Sequence, residues 1–267
     1  MQLLRYQICL YLKNIMRDRL LYGVMGVAFF MILLVPVFSN FSMRQVQELS
    51  ITLSLSAISF ILLTVSLLLG TSSIWRDIER RYSASVLTLP ISRASYVLAK
   101  FIAISIFLVI SAVCLTVAST VVILISSNAY PSDIPIHWLN IMMAIACDTI
   151  KYILLTAFAL LFSSLSTSFF LPFFGTLAIY FCGNSSQEVY EYISSSYGEK
   201  FSSLSTSVIK AIYYLVPNLS AFNLKVQAIY GLDVPYSSLL YPILYFLVYT
   251  ALLLYGAIWI FSRRELP

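Results

Sequence analysis

Long apolar runs separated by short polar bridges organise this chain. The runs fall near residues 20–39, 51–73, 100–126, 138–163, 168–184 and 239–262, and the charged side chains within them are Lys100, Asp148 and Lys151. A helix rises 1.5 Å per residue, so about 20 apolar residues cross a hydrocarbon layer of about 30 Å. The pattern therefore predicts an all-α, polytopic membrane protein with six transmembrane helices. The bridges at 40–50 and 164–167 are short enough to make the spans they join antiparallel neighbours, and six crossings return both chain ends to one side. Pro36 and Pro172 fall inside runs, where neighbouring helices can satisfy the carbonyls they free, and they predict kinks.

Three segments lie outside the runs. In residues 1–19, Leu4, Ile8, Tyr11, Leu12 and Ile15 share one helical face and Lys13, Asn14 and Arg17 the other, which predicts an amphipathic helix lying in the membrane interface. In residues 75–99, the helix of the second span continues past Trp75 towards Leu87. Pro90 then breaks it, and Ser92 caps a new helix that runs through Tyr96 and Lys100 into the third span. This is a helical elbow. Residues 185–238 are too long for an idle connector and predict an external helical subdomain, with Ser207 capping an apolar piece that Pro217 ends.

Composition agrees with lipid as the solvent. Of 267 residues, 60% are hydrophobic and 10% charged, whereas soluble domains carry about 25% charge. With both termini inside, the cytoplasmic set is Arg5, Lys13, Arg17, Arg19, Arg76, Arg80, Arg81, Arg93, Lys100, Arg263 and Arg264, eleven cations against the four outside, Arg44, Lys200, Lys210 and Lys225. Lys and Arg stay in the cytoplasm when loops are short, so the elbow is expected there. The net charge of +5 reflects this topology and calls for no nucleic acid. Cys9, Cys114, Cys147 and Cys182 lack metal or redox spacing, and His137, beside Trp138, marks the outer interface.

Asp148 and Lys151 stand three residues apart, on one face of the fourth span. An ionisable group there costs about 2.5–3.5 kcal/mol on insertion scales, so each is expected to face protein or water and to find a partner. The pair either neutralises itself at a helix or dimer contact or lines a polar path.

Between the second and third spans the text "LPISRASYVLAK" resembles ABC-2-type permeases. That family has an acidic residue, a Leu-rich turn, a Pro, an Arg three residues on and a Lys at the mouth of the third span. Here these are Glu79, Leu87, Pro90, Arg93 and Lys100, while Arg81 and Ala99 stand where the family commonly has Gly. A second stretch, "YYLVPNLSAFNLK", containing Pro217, Asn218 and Phe222, and the aromatic last span closed by Arg263, Arg264 and Glu265 resemble the permease group associated with nitrous oxide reductase and multicopper enzyme maturation.

The resemblance implies one ABC-2-type transmembrane domain over 1–267, in which the elbow at 75–99 is a coupling helix seated in a groove of a separate ATP-binding-cassette ATPase. It implies two permeases paired as a homodimer or heterodimer, export across a bacterial or archaeal inner membrane, and ATP and Mg held by the partner. None of the eight glycines falls in a G-x-x-x-x-G-K-[ST] frame, so the chain itself is expected to have no cofactor and no catalysis. An ion-coupled secondary carrier or a non-transporting membrane anchor of an enzyme complex are the alternatives.

Overall fold

The computed structural model describes residues 2–39, 41, 45–79, 92–129, 135–194, 207, 209, 213, 216–235 and 237–264. The elbow positions Arg80, Arg81, Leu87 and Pro90 lie outside the described residues, as do Arg44, Glu199, Lys200, Lys210, Tyr214 and Glu265. Every regular element among the described residues is helical: α1 (Gln2–Met16), α2 (Arg19–Ser39), α3 (Val46–Glu79), α4 (Arg93–Ala129), α5 (Trp138–Leu165), α6 (Phe170–Ser194), a 3₁₀ turn (Ser220–Phe222), α7 (Lys225–Tyr230) and α8 (Ser237–Arg263).

The apolar stripe of α1 packs on the start of α4. Tyr11 is buried and meets the Tyr96 ring edge-on at 6.1 Å, and Ser95 Oγ donates to Gln7 Oε1 at 2.9 Å. Lys13, Asn14 and Arg17 stay exposed on the other face. Helix α2 buries Leu21, Ala28, Ile32 and Val35, one stripe at helical spacing, and exposes Val27, Phe30, Leu33 and Val37, as a helix does when lipid covers its other side.

Five of these helices are long and apolar enough to cross a membrane: α2 from Leu21, α3, α4 to Asn128, α5, and α8 from Leu239. The sixth expected crossing, 168–184, falls short by that measure. Its helix, α6, is apolar only from Phe170 to Cys182, about 20 Å; it then continues as the polar GNSSQEVYEYIS to Ser194, which was expected to be external chain. Pro172 is corrected as well: it is the third residue of α6, in the first turn, where a missing N–H breaks no helical bond.

Contacts sort the helix ends into two groups. At one end the last turns of α3, α5 and α8 meet the first turns of α4 and α6. There Trp75 N donates to Ser163 Oγ at 2.9 Å, Trp75 Nε1 to Thr167 O at 3.1 Å, and Arg264 Nη1 to Ser164 O and Ser166 O at 2.8 and 2.9 Å. At the other end Ser127 Oγ donates to Gln47 Oε1 at 3.1 Å, Leu219 N to Gly183 O at 3.0 Å, and Asn140 Nδ2 to the carbonyls of Gln227 and Leu232. Helix α6 thus leaves the first group at its start, passes the middle of α5 where Tyr180 meets Tyr152 at 6.4 Å, and runs on towards the second. The first and last described residues stand at the same end of the bundle.

Helix α5 is the hub, touching α3, α4, α6, α7 and α8. Its longest contact is with α3, running parallel. Ser59 Oγ and Tyr152 OH share a 2.6 Å hydrogen bond, Ser66 Oγ donates to Tyr152 O at 2.9 Å, and Ser163 Oγ donates to Thr71 O at 3.0 Å. Gly70 lies so close to Ala159 that an added Cβ would stand 2.6 Å from the alanine methyl. Small residues and inter-helix hydroxyl bonds are how helices associate in lipid, where apolar burial alone supplies little drive between them.

Candidate functional site

Helix α3 is 34 residues long and α4 is 37, about 51 and 55 Å, so both outrun a hydrocarbon layer of about 30 Å. They come together at the end of the bundle that holds the first and last described residues. Ser92 begins α4 as the sequence suggests: its Oγ accepts from Ser95 N at 3.1 Å, relieving one of the unpaired N–H groups of the first turn.

Two turns into α4, Lys100 points back to α3. Its ammonium is buried, donates to Asp77 Oδ2 at 2.5 Å and to the Ser73 carbonyl, and sits over the rings of Tyr96 and Tyr11 at 4.8 and 5.5 Å. Tyr96 OH donates to the same Asp77 oxygen at 2.6 Å, and its ring stacks on Phe261 of α8 at 5.3 Å. A buried cation is tolerable only with a paired anion and saturated donors, and this arrangement supplies both. Nearby, Arg76 pairs with Asp18, in the α1–α2 turn, at 3.2 Å.

Arg93 works differently. Its Nη1 donates to the carbonyls of Phe261, Ser262 and Arg264 at 3.0, 2.9 and 2.9 Å, covering acceptors that the last turn of α8 leaves without intrahelical partners. Arg264 in turn binds the carbonyls that end α5, so α4, α8 and the α5–α6 turn are tied in series. Glu79 is exposed on the last turn of α3. A carboxylate is disfavoured at that end of a helix, because the macrodipole is negative there.

In the middle of α5, Lys151 Nζ donates to Asp148 Oδ1 at 2.6 Å and both side chains are 5% exposed. Lys225, on α7, is the third charge of this group. Burial pushes its ammonium below the ordinary lysine range, with Asp148 acting against that shift and Lys151 adding to it. The short helix α7, which packs on α3 and α5, therefore reaches charges placed deep in the bundle.

The Pro217, Asn218 and Phe222 motif packs against the helices. Phe222 is buried in the main core, Asn218 Nδ2 donates to Gln187 Oε1 at 2.9 Å and Asn218 N to Tyr245 OH at 3.1 Å, so Pro217–Phe222 is wedged between α6 and α8. An added Cβ on Gly183 would lie 2.7 Å from Pro217 O, and only glycine admits the strap there.

The structure brings Arg93 and Lys100 to one end with Glu79, and places Asp148 with Lys151; Leu87 and Pro90 lie outside the described residues. Asp77, Asp18 and Lys225 belong to these clusters and escaped sequence reasoning. Lys100, a lone charge at the mouth of an apolar run, called for an acid, and the packing of α3 beside α4 identifies it as Asp77. Among the described residues no group of three or more His, Cys, Asp or Glu side chains could hold a metal ion.

No individually curated protein matches the chain. A family model described as ABC-2 family transporter protein matches residues 12–266, which takes in every described helix from the last third of α1 to the end of α8. That match is nearly end to end and coincides with the helical bundle itself, so the chain belongs to the ABC-2 transporter family.

Proposed function

We propose that this integral membrane protein is the permease subunit of an ABC exporter, crossing the membrane six times and coupled to a separate ATPase that holds ATP and Mg. Two copies, or two related permeases, enclose the pathway. The end carrying the Asp77–Lys100 pair and both termini faces the cytoplasm, and α1 rests there in the inner interface. The route of α6 from one end of the bundle to the other supports the sixth crossing.

The observation that carries this reading is the rigid base of the elbow. Two helices outrun the bilayer and are locked together by a buried ion pair, and Arg93 ties them to α8. A push on residues 79–93 then moves helices as bodies instead of bending a loop. Glu79 projects from this base at the negative end of α3, where a cation on an ATPase groove would relieve it.

The test is to reconstitute the chain with its ATPase and compare Glu79→Ala with the native protein. Stimulated ATP hydrolysis and transport should fall while the thermal midpoint holds. Unchanged hydrolysis and transport would refute Glu79 as a coupling contact. Single cysteines at 79 and 263 in a cysteine-free background should react with an impermeant maleimide only from the cytoplasmic side, and external labelling would overturn the topology.

A further inference from the structure

Where α1 crosses α3 and α4, a cleft of about 250 Å³ opens at the charged end of the bundle. Its depth and its rim differ in chemistry. Leu69 and Ile104 are buried and, with Ile15, give it an apolar side, whereas the Arg76 and Asp18 side chains at its rim remain 35% and 28% exposed. Ser73 also lines it, and its buried Oγ has no hydrogen-bond partner. An unmatched buried hydroxyl is costly, and a ligand oxygen accepting from it would remove that cost.

The charges around the cleft cancel: Arg76 and Lys100 against Asp18 and Asp77. A ligand that fits must carry both signs itself, and the apolar side asks for a hydrocarbon portion. The stretch of α3 from Leu69 to Asp77 covers about 12 Å along the helix axis and passes from the apolar run into the charged end. That is the depth at which a lipid changes from acyl chain to headgroup.

We propose that this cleft is a binding site for a phospholipid whose zwitterionic headgroup bears a primary ammonium. Its phosphate takes hydrogen bonds from Arg76, which spends only Nη1 on Asp18 and has further N–H donors, and from Ser73 Oγ. Its ammonium donates to the Asp18 carboxylate, and an acyl chain lies along Ile15, Leu69 and Ile104. The bound lipid thereby staples α1 to the base of the elbow, whichever cargo the transporter moves.

The test uses the full-length chain, delipidated in detergent and offered equal amounts of phosphatidylethanolamine, phosphatidylcholine and phosphatidylglycerol of matched chains, with retention read by native mass spectrometry. Phosphatidylethanolamine should be held about tenfold over each of the others, the worth of one charge-assisted hydrogen bond. Asp18→Asn should erase the preference over phosphatidylcholine, and Ser73→Ala should weaken retention of phosphatidylethanolamine without lowering the thermal midpoint, because that hydroxyl has no protein partner to lose. Equal retention of the three lipids, or full retention by Ser73→Ala, overturns the proposal. Displacement of the lipid by millimolar phosphoethanolamine overturns the lipid assignment in favour of a soluble zwitterion.

Discussion

Replacing Lys100 by Met removes a cation whose burial is matched by a specific anion, and the consequence can be sized from the surroundings. The Lys100 and Asp77 side chains are 5% and 21% exposed. Breaking a fully buried pair costs about 3–5 kcal/mol, because the surviving charge is stranded. After Lys100→Met the survivor is Asp77, which water reaches and which keeps the Tyr96 hydroxyl, so the loss belongs near the lower end, about 2–3 kcal/mol. After Asp77→Asn the survivor is Lys100, left with the Ser73 carbonyl and two tyrosine faces, and the loss should reach about 3–5 kcal/mol. The double variant removes both charges and should cost less than the sum of the two by about 2 kcal/mol. Thermal unfolding of all four proteins in nanodiscs reads the order directly, at about 2–4 °C per kcal/mol for a chain of this size. Additive losses would refute the pair as a brace, and a larger loss from Lys100→Met than from Asp77→Asn would refute the burial argument.

Gly70→Ala places a carbon 2.6 Å from the Ala159 methyl and should lower the thermal midpoint by the equivalent of about 1–3 kcal/mol, with Gly70→Leu worse; a neutral alanine would mean that α3 and α5 are less tightly packed. Arg93→Met removes the nitrogen that meets three carbonyls, so hydrogen exchange should rise at the last turn of α8, with about 1–3 kcal/mol lost. Asp148→Asn leaves Lys151 buried without its anion and should cost about 3–5 kcal/mol, and Lys151→Met in the same chain should recover part of it by thermal melt. Gly231 has φ 63° and packs on the His137 ring, so Gly231→Ala should speed exchange in α7, and adding His137→Ala should relieve only the steric share.

What could be read in advance depended on how local the cause is. The stripe of α1, the Ser92 cap and the meeting of Asp148 with Lys151 are set within a few residues, and spacing alone discloses them. The end of the α6 run at 184 was set too early because hydropathy rates residues 168–184 without the polar turns that continue the same helix to Ser194. Asp77 with Lys100 is legible only once α3 and α4 are known to return side by side. Arg93 reads as a surface cation in its own neighbourhood, and its acceptors lie about 170 residues away in α8, where no periodicity points to them. Lys225 looks external by sequence order, and only the packing of α7 on α5 brings it near the buried pair.

Gln7 of α1 binds Ser95, and Arg264 binds the turn after α5, so the first and last helices open onto one face of the molecule. A soluble domain fused to either terminus would hang beside Glu79 without an added crossing. Two copies could likewise be strung into a single polypeptide by a linker that stays on that side, and such a tandem protein would present both Glu79 side chains there.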